Sequence, residues 1–176
     1  MRAVKQGDLD ALCGVYAIIN CLHVLGIRRH SQALNRDMFQ ELTHALGAVR
    51  LLAGMRDGLD PEDLLLAALS AFPVVAAKYD IGLTLDQPYR SMKFESADEF
   101  LFEIRQSILE QGHAAVVNVL LPGGYDHWTA PSAIGNGKMV LRDSGRLKSL
   151  PLSRFSLTTG DTRIVTAVTL RLRLTR

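Results

Sequence analysis

The sequence predicts an α+β fold, with an N-terminal helical half packed on a C-terminal antiparallel sheet. Two observations carry that expectation. Helix-period apolar patterns with cap signals crowd the first 112 residues, and β-branched runs separated by glycine turns fill the rest. Helices and strands are segregated rather than alternating, which argues against βαβ units.

Taken in order, the first helix is expected from Asp10, as N-cap, to Leu25, with Gly26 ending it. Its apolar positions Leu12, Val15, Tyr16, Ile18, Ile19 and Leu22 cover most of the circumference, so this helix should be central and buried. A second is expected from Ser31 to near Gly47. A third has Asp60 as N-cap, Pro61 at the first helical position and a Leu/Ala-rich body to about Ala71. The capping box Ser96-Ala97-Asp98-Glu99 opens a fourth, which Gly112 ends. His113–Leu121 then reads as a buried strand closed by Pro122-Gly123-Gly124. Trp128–Ile134 and Lys138–Arg142 flank the hairpin turn Gly135-Asn136-Gly137. In Thr162–Leu174, Ile164, Thr166, Val168, Leu170, Leu172 and Leu174 share one parity, with Arg163, Arg171 and Arg173 on the other.

The chain has 176 residues, 48% apolar and 22% charged, which fits one domain over residues 1–176 and excludes a disordered, coiled-coil or collagen-like chain. No stretch reaches the roughly 18 uninterrupted apolar residues of a membrane span. Charges occupy Met1–Asp10, where a signal peptide would have its apolar run, so a cytoplasmic protein is expected, with export as an effector by another route left open. Cys13 and Cys21 are too few for a disulfide framework, and no C-x-x-C pair suggests zinc, so neither metal nor cofactor is expected. The net charge of +2 is unevenly spread. From Lys138 onward nine Lys/Arg face two acids, while the first 137 residues hold eleven against sixteen.

Four polar residues are hard to explain by packing. Cys13 falls at the start of the buried first helix, where unpaired amides and the macrodipole stabilise an anion. A thiolate there would be a nucleophile toward a carbonyl, and Gly14 would let substrate backbone approach. His127 enters a strand after a glycine turn and supplies a proton acceptor and donor. Asp143, sixteen residues later, would meet His127 across the hairpin and fix its tautomer. Gln6 precedes the thiol. Each has a plainer reading alone: Cys13 a buried hydrophobe, His127 a core or surface histidine, Asp143 a turn residue in Asp143-Ser144-Gly145. Cys21, mid-helix among apolar residues, reads as structural.

The strings Gln6-Gly7-Asp8-Leu9-Asp10-Ala11-Leu12-Cys13-Gly14-Val15-Tyr16-Ala17, Asp126-His127-Trp128 and Leu141-Arg142-Asp143-Ser144 resemble the papain-like cysteine peptidase pattern, in the order Gln, Cys, His, Asp. They are most similar to compact bacterial members of the double-glycine leader peptidase type. The resemblance implies a papain-like fold and hydrolysis of a peptide or isopeptide bond through an acyl-thioester. It implies Cys13 as nucleophile, His127 as base, Asp143 as its orienter, Gln6 as oxyanion donor and Trp128 packed beside the imidazole. The partner would be a peptide or protein substrate.

Other readings stay open. The same acyl-enzyme could pass its acyl group to an amine, as a transglutaminase does. Ser132 or Ser144 would serve a serine triad, although no G-x-S-x-G elbow occurs. Cys13, His127 and Asp143 are also zinc ligands by type. A non-catalytic module would bind an acidic partner through Arg163, Arg171, Arg173 and Arg176, with Arg142, Arg146, Lys148 and Arg154. Without interleaved aromatics that face is poorly suited to nucleic acid.

Overall fold

The computed structural model describes residues 11–27, 31–145, 147–158 and 162–175. Among the described residues, four α-helices and a seven-stranded sheet make an α+β architecture. The helices are α1 (Cys13–Val24), α2 (Gln32–Asp57), α3 (Pro61–Tyr79) and α4 (Ala97–Ile104). The strands are β1 (Gly82–Asp86), β2 (Ala114–Leu121), β3 (Tyr125–Gly135), β4 (Lys138–Arg142), β5 (Ser149–Pro151), β6 (Phe155–Ser156) and β7 (Thr162–Thr175). The order across the sheet is β1-β7-β2-β3-β4-β5, antiparallel throughout, with the two-residue β6 added parallel to β7.

Both faces of the sheet are covered. Ala114 and Val116 of β2 join Trp128, Ala130, Leu170 and Leu172 under α1, α2 and α3. Their neighbours Ala115, Val117 and Val119 point the other way, to Phe100, Leu101 and Ile104 of α4. A strand buried on both faces needs no alternation, which is why β2 reads as one apolar run. At the centre, α1 buries nearly its whole circumference, Val15, Ile18, Ile19, Cys21 and Leu22 being almost fully inaccessible.

Several boundaries differ from expectation. The helix starts at Cys13 with Leu12 at the N-cap position and no capping side chain; Asp10, the anticipated cap, lies outside the described residues. Gly47 does break the second helix (φ 70°, ψ 164°), but a further helical segment follows to Asp57. The third helix continues past Ala71, through Pro73, to Tyr79, where Asp80 closes it in the left-handed conformation. Ser96 caps α4 as its box predicts, its hydroxyl accepting from the Glu99 N–H at 3.1 Å. A π-helical turn, Arg105–Leu109, extends α4 before Gly112. The short strands β1, β5 and β6 have no alternation strong enough to show in sequence.

The largest correction concerns β7. Asn118 pairs with Val165, yet Val116 pairs with Leu170, so β7 carries extra residues between the two ladders. That irregularity reverses its facing. Ile164 enters the α4 core while Leu170 and Leu172 enter the α1 core, so the single apolar parity expected for this strand does not exist. Nor is its basic side simply solvated. The Arg171 guanidinium makes two hydrogen bonds to Asp86, at 2.9 and 2.6 Å, and Arg173 adds a third at 3.0 Å.

Candidate active site

Cys13 occupies the first position of α1 and is 6% exposed. Without a capping side chain, the first-turn amides and the positive end of the dipole lie beside its sulfur. The Trp128 N–H of β3 donates to Cys13 Sγ at 3.5 Å, so the sulfur rests against the strand one residue from His127.

His127 brings the three groups together. Its Nε2 lies 2.6 Å from Asp143 Oδ2, and the Cys13 thiol, which takes the N–H of the next residue, Trp128, is near enough to raise the ring's basicity. Burial alone would lower the ring's basicity, but Asp143 and then Cys13 outweigh it and push the pKa up to about 10. The imidazole is therefore held protonated at neutral pH. Asp143 shows the opposite balance. Its side chain is fully buried, which favours the neutral acid, yet the His127 bond and charge hold the carboxyl below the usual carboxylate range.

Asp143 is also the turn residue its sequence suggested. Oδ1 accepts the Gly145 N–H at 2.8 Å, freeing Oδ2 for His127. Thr129, whose buried hydroxyl has no other partner, faces the same carboxylate. The facing depends on a bulge. Near the turn the pairs are Gly135–Lys138, Ile134–Met139 and Ala133–Val140, but beyond Ser132 they become Pro131–Leu141 and Ala130–Arg142. The next position sets Asp143 opposite Thr129, on the same face as His127. A regular ladder counted from the turn would have set it opposite Ala130, on the face of Trp128.

Three sequence expectations need correction. Gly14 does not open toward substrate: a Cβ there would lie 2.9 Å from Leu64 Cδ2 and 3.4 Å from Trp128 Cδ1, so the glycine lets α1 pack against α3 and the indole. The Trp128 indole alternates away from His127 into the α1 core, and its Nε1 donates to the Leu59 carbonyl at 3.3 Å, tying down the α2–α3 connection instead of covering the imidazole. Ser132, one of the candidate serine nucleophiles, sits at the bulge with its hydroxyl donating to the Val140 carbonyl. Gln6 lies outside the described residues, as do Arg146 and Arg176. Cys21 is fully buried, its thiol donating to the Ala115 carbonyl at 3.2 Å, and burial pushes that thiol up.

Cys13 lines a pocket of about 70 Å³ together with Asp57, Gly58, Leu59, Asp60, Asp126 and Trp128. Sequence reasoning did not connect these acids with the thiol. Asp126 had one available signal: Asn118 is the only polar residue of β2, it is buried, and its amide bonds the Asp126 carboxylate. Among the described residues no three His, Cys, Asp or Glu side chains converge in a way that would hold a metal ion, and no helix is long and apolar enough to cross a membrane. No protein-family model matches the chain, and no curated protein matches it in sequence.

Proposed function

We propose that the protein is a cysteine hydrolase acting on an amide, peptide or isopeptide bond, with Cys13 as nucleophile, His127 as proton carrier and Asp143 as its orienter. One observation carries the reading: an imidazole bonded to a buried carboxylate stands one residue along β3 from the backbone N–H that holds a thiol at a helix N-terminus. Neither a core histidine nor a turn aspartate needs that arrangement. The chain order and the helix-on-sheet architecture agree with the papain-like resemblance.

In this scheme the thiol proton resides on His127, and Cys13 Sγ attacks the carbonyl carbon to form a C–S bond. The Asp143 carboxylate stabilises the imidazolium throughout. As the tetrahedral adduct collapses, the C–N bond breaks and His127 gives its proton to the leaving amine. Water then attacks the thioester, losing a proton to His127 and releasing the acid and the thiol. Gln6 is the side-chain oxyanion donor that the resemblance implies.

Iodoacetamide at pH 7 should alkylate Cys13 well before Cys21, as followed by peptide mass mapping. Cys13→Ala should abolish turnover of amide substrates while leaving the circular dichroism spectrum intact. Comparable slow labelling of both thiols would defeat the proposal. The binding-module alternative predicts instead that charge reversal at Arg171 and Arg173 destroys function and Cys13→Ala does not. The bonds of both arginines to Asp86 give them a structural task that this alternative does not need.

A further inference from the structure

The edge of β7 that faces away from β2 is only partly used. β1 takes it over residues 171–175, and β6 takes it at Thr162 and Arg163. Both lie opposite β2, which pairs with Arg163 and Arg171 from the other side. Between them, residues 164–170 have no strand on this edge among the described residues. No turn or loop hydrogen bond of the described backbone reaches them either. The chain beyond β1 does not close the gap. It turns at once, the Arg90 N–H bonding the Gln87 carbonyl and the Met92 N–H the Tyr89 carbonyl. Residues 92–94 then stand across a cleft of about 390 Å³ from residues 163–167. Ile164 and Val165 remain in the β2 ladder, so their backbone is held at strand geometry. In such a ladder alternate residues aim N–H and C=O outward, here into the cleft. The bulge beyond Val165 blunts the rest of the edge, which leaves the stretch before it as the usable part.

We infer that this edge takes an extended peptide of a partner protein as an added strand, with an acidic side chain set beside Lys93 and Arg163. Backbone groups at strand geometry with no strand to take them select an extended chain. Charge then fixes the side-chain chemistry. Lys93 and Arg163 are the charged residues lining the cleft, both are exposed, and neither enters an ion pair among the described residues. Met92 and Phe94 offer apolar surface to a neighbouring side chain. Shape favours a peptide over a second copy, because the wall at residues 92–94 admits one slim strand and obstructs a whole sheet edge. The surface is separate from the thiol. His127, Val119 and Ile164 form one row across β3, β2 and β7, so the added strand would lie three strand spacings, roughly 14 Å, from that of His127. The inference goes beyond the proposed hydrolysis and does not depend on Cys13.

The test titrates the full chain with three blocked hexapeptides: alternating glutamate and valine, alternating lysine and valine, and the glutamate peptide N-methylated at every residue. Amide NMR shifts should change at residues 92–94 and 163–167, with hydrogen-exchange protection appearing within residues 164–167. The glutamate peptide should bind at least about tenfold more tightly than either of the others. Its advantage over the lysine peptide should shrink as salt rises from roughly 0.02 to 0.5 M. Lys93→Glu combined with Arg163→Glu, both at exposed positions, should reverse the order of those two peptides. Equal binding of the N-methylated peptide would overturn strand addition. Shift changes confined to another part of the molecule, or no binding by any of the three, would overturn the site. Concentration-dependent dimerisation of the free chain, with protection of the same amides, would assign the edge to a second copy and overturn the peptide.

Discussion

At the scale of single residues, the site is governed by Asp143. Its two oxygens divide their work, one closing the turn through Gly145 and the other facing His127, so the residue type that made a turn plausible also serves the imidazole. Asp143→Ala removes the larger of the two influences that outweigh burial at the ring, so the His127 pKa should fall from about 10 toward the ordinary imidazole value, as read from the imidazole NMR shifts. Turnover should drop by about 10²–10⁴-fold. The stability consequence has a definite sign. His127 is more basic folded than unfolded, so its contribution is full below about pH 6.5 and is lost as pH rises toward 10. Asp143 is more acidic folded than unfolded, so its contribution is present above pH 3.8 and disappears as pH falls through its lowered value. Urea midpoints across pH should therefore decline on both sides, and Asp143→Ala should flatten the alkaline decline.

At the scale of elements, the β3–β4 hairpin decides whether these residues meet. Its glycine turn was legible in Gly135-Asn136-Gly137, and so was the conclusion that His127 and Asp143 approach each other. The facing was not legible, because an even ladder from that turn aims Asp143 at the wrong side. The bulge at Ser132 restores the facing, and its one sequence trace is Pro131, which has no N–H to give a regular ladder. Two single-residue deletions in the hairpin should thus behave differently. Removing Ser132 leaves every flanking pair in register and should keep activity within about tenfold. Removing Arg142 moves Asp143 to the opposite face and should cost about 10²-fold or more, with loss of the raised His127 pKa. Equal damage from both would refute the register account. The same physics explains the misread β7: an irregularity inside a strand has no periodic signature, and it reverses every residue beyond it.

At the scale of the whole molecule, helical and sheet halves were legible because segregated periodicities leave few other architectures, and the buried α1 was legible from apolar residues all round it. What sequence did not show was the order of the sheet, since strand pairing depends on contacts between residues far apart along the chain. β7 lies between β1 and β2 and feeds both cores through Ile164, Leu170 and Leu172. Burying those three side chains contributes about 5–9 kcal/mol, comparable with the roughly 5–15 kcal/mol that holds a domain together. A chain stopped at residue 158 should therefore fail to fold, with Cys21 becoming as open to iodoacetamide as Cys13. Synthesis runs in the opposite direction to assembly. Cys13, His127 and Asp143 are all translated before the strand that completes the sheet. The nascent polypeptide thus carries the thiol, the imidazole and the carboxylate in latent form, and on the proposed reading they become competent only as β7 slots into the gap awaiting it.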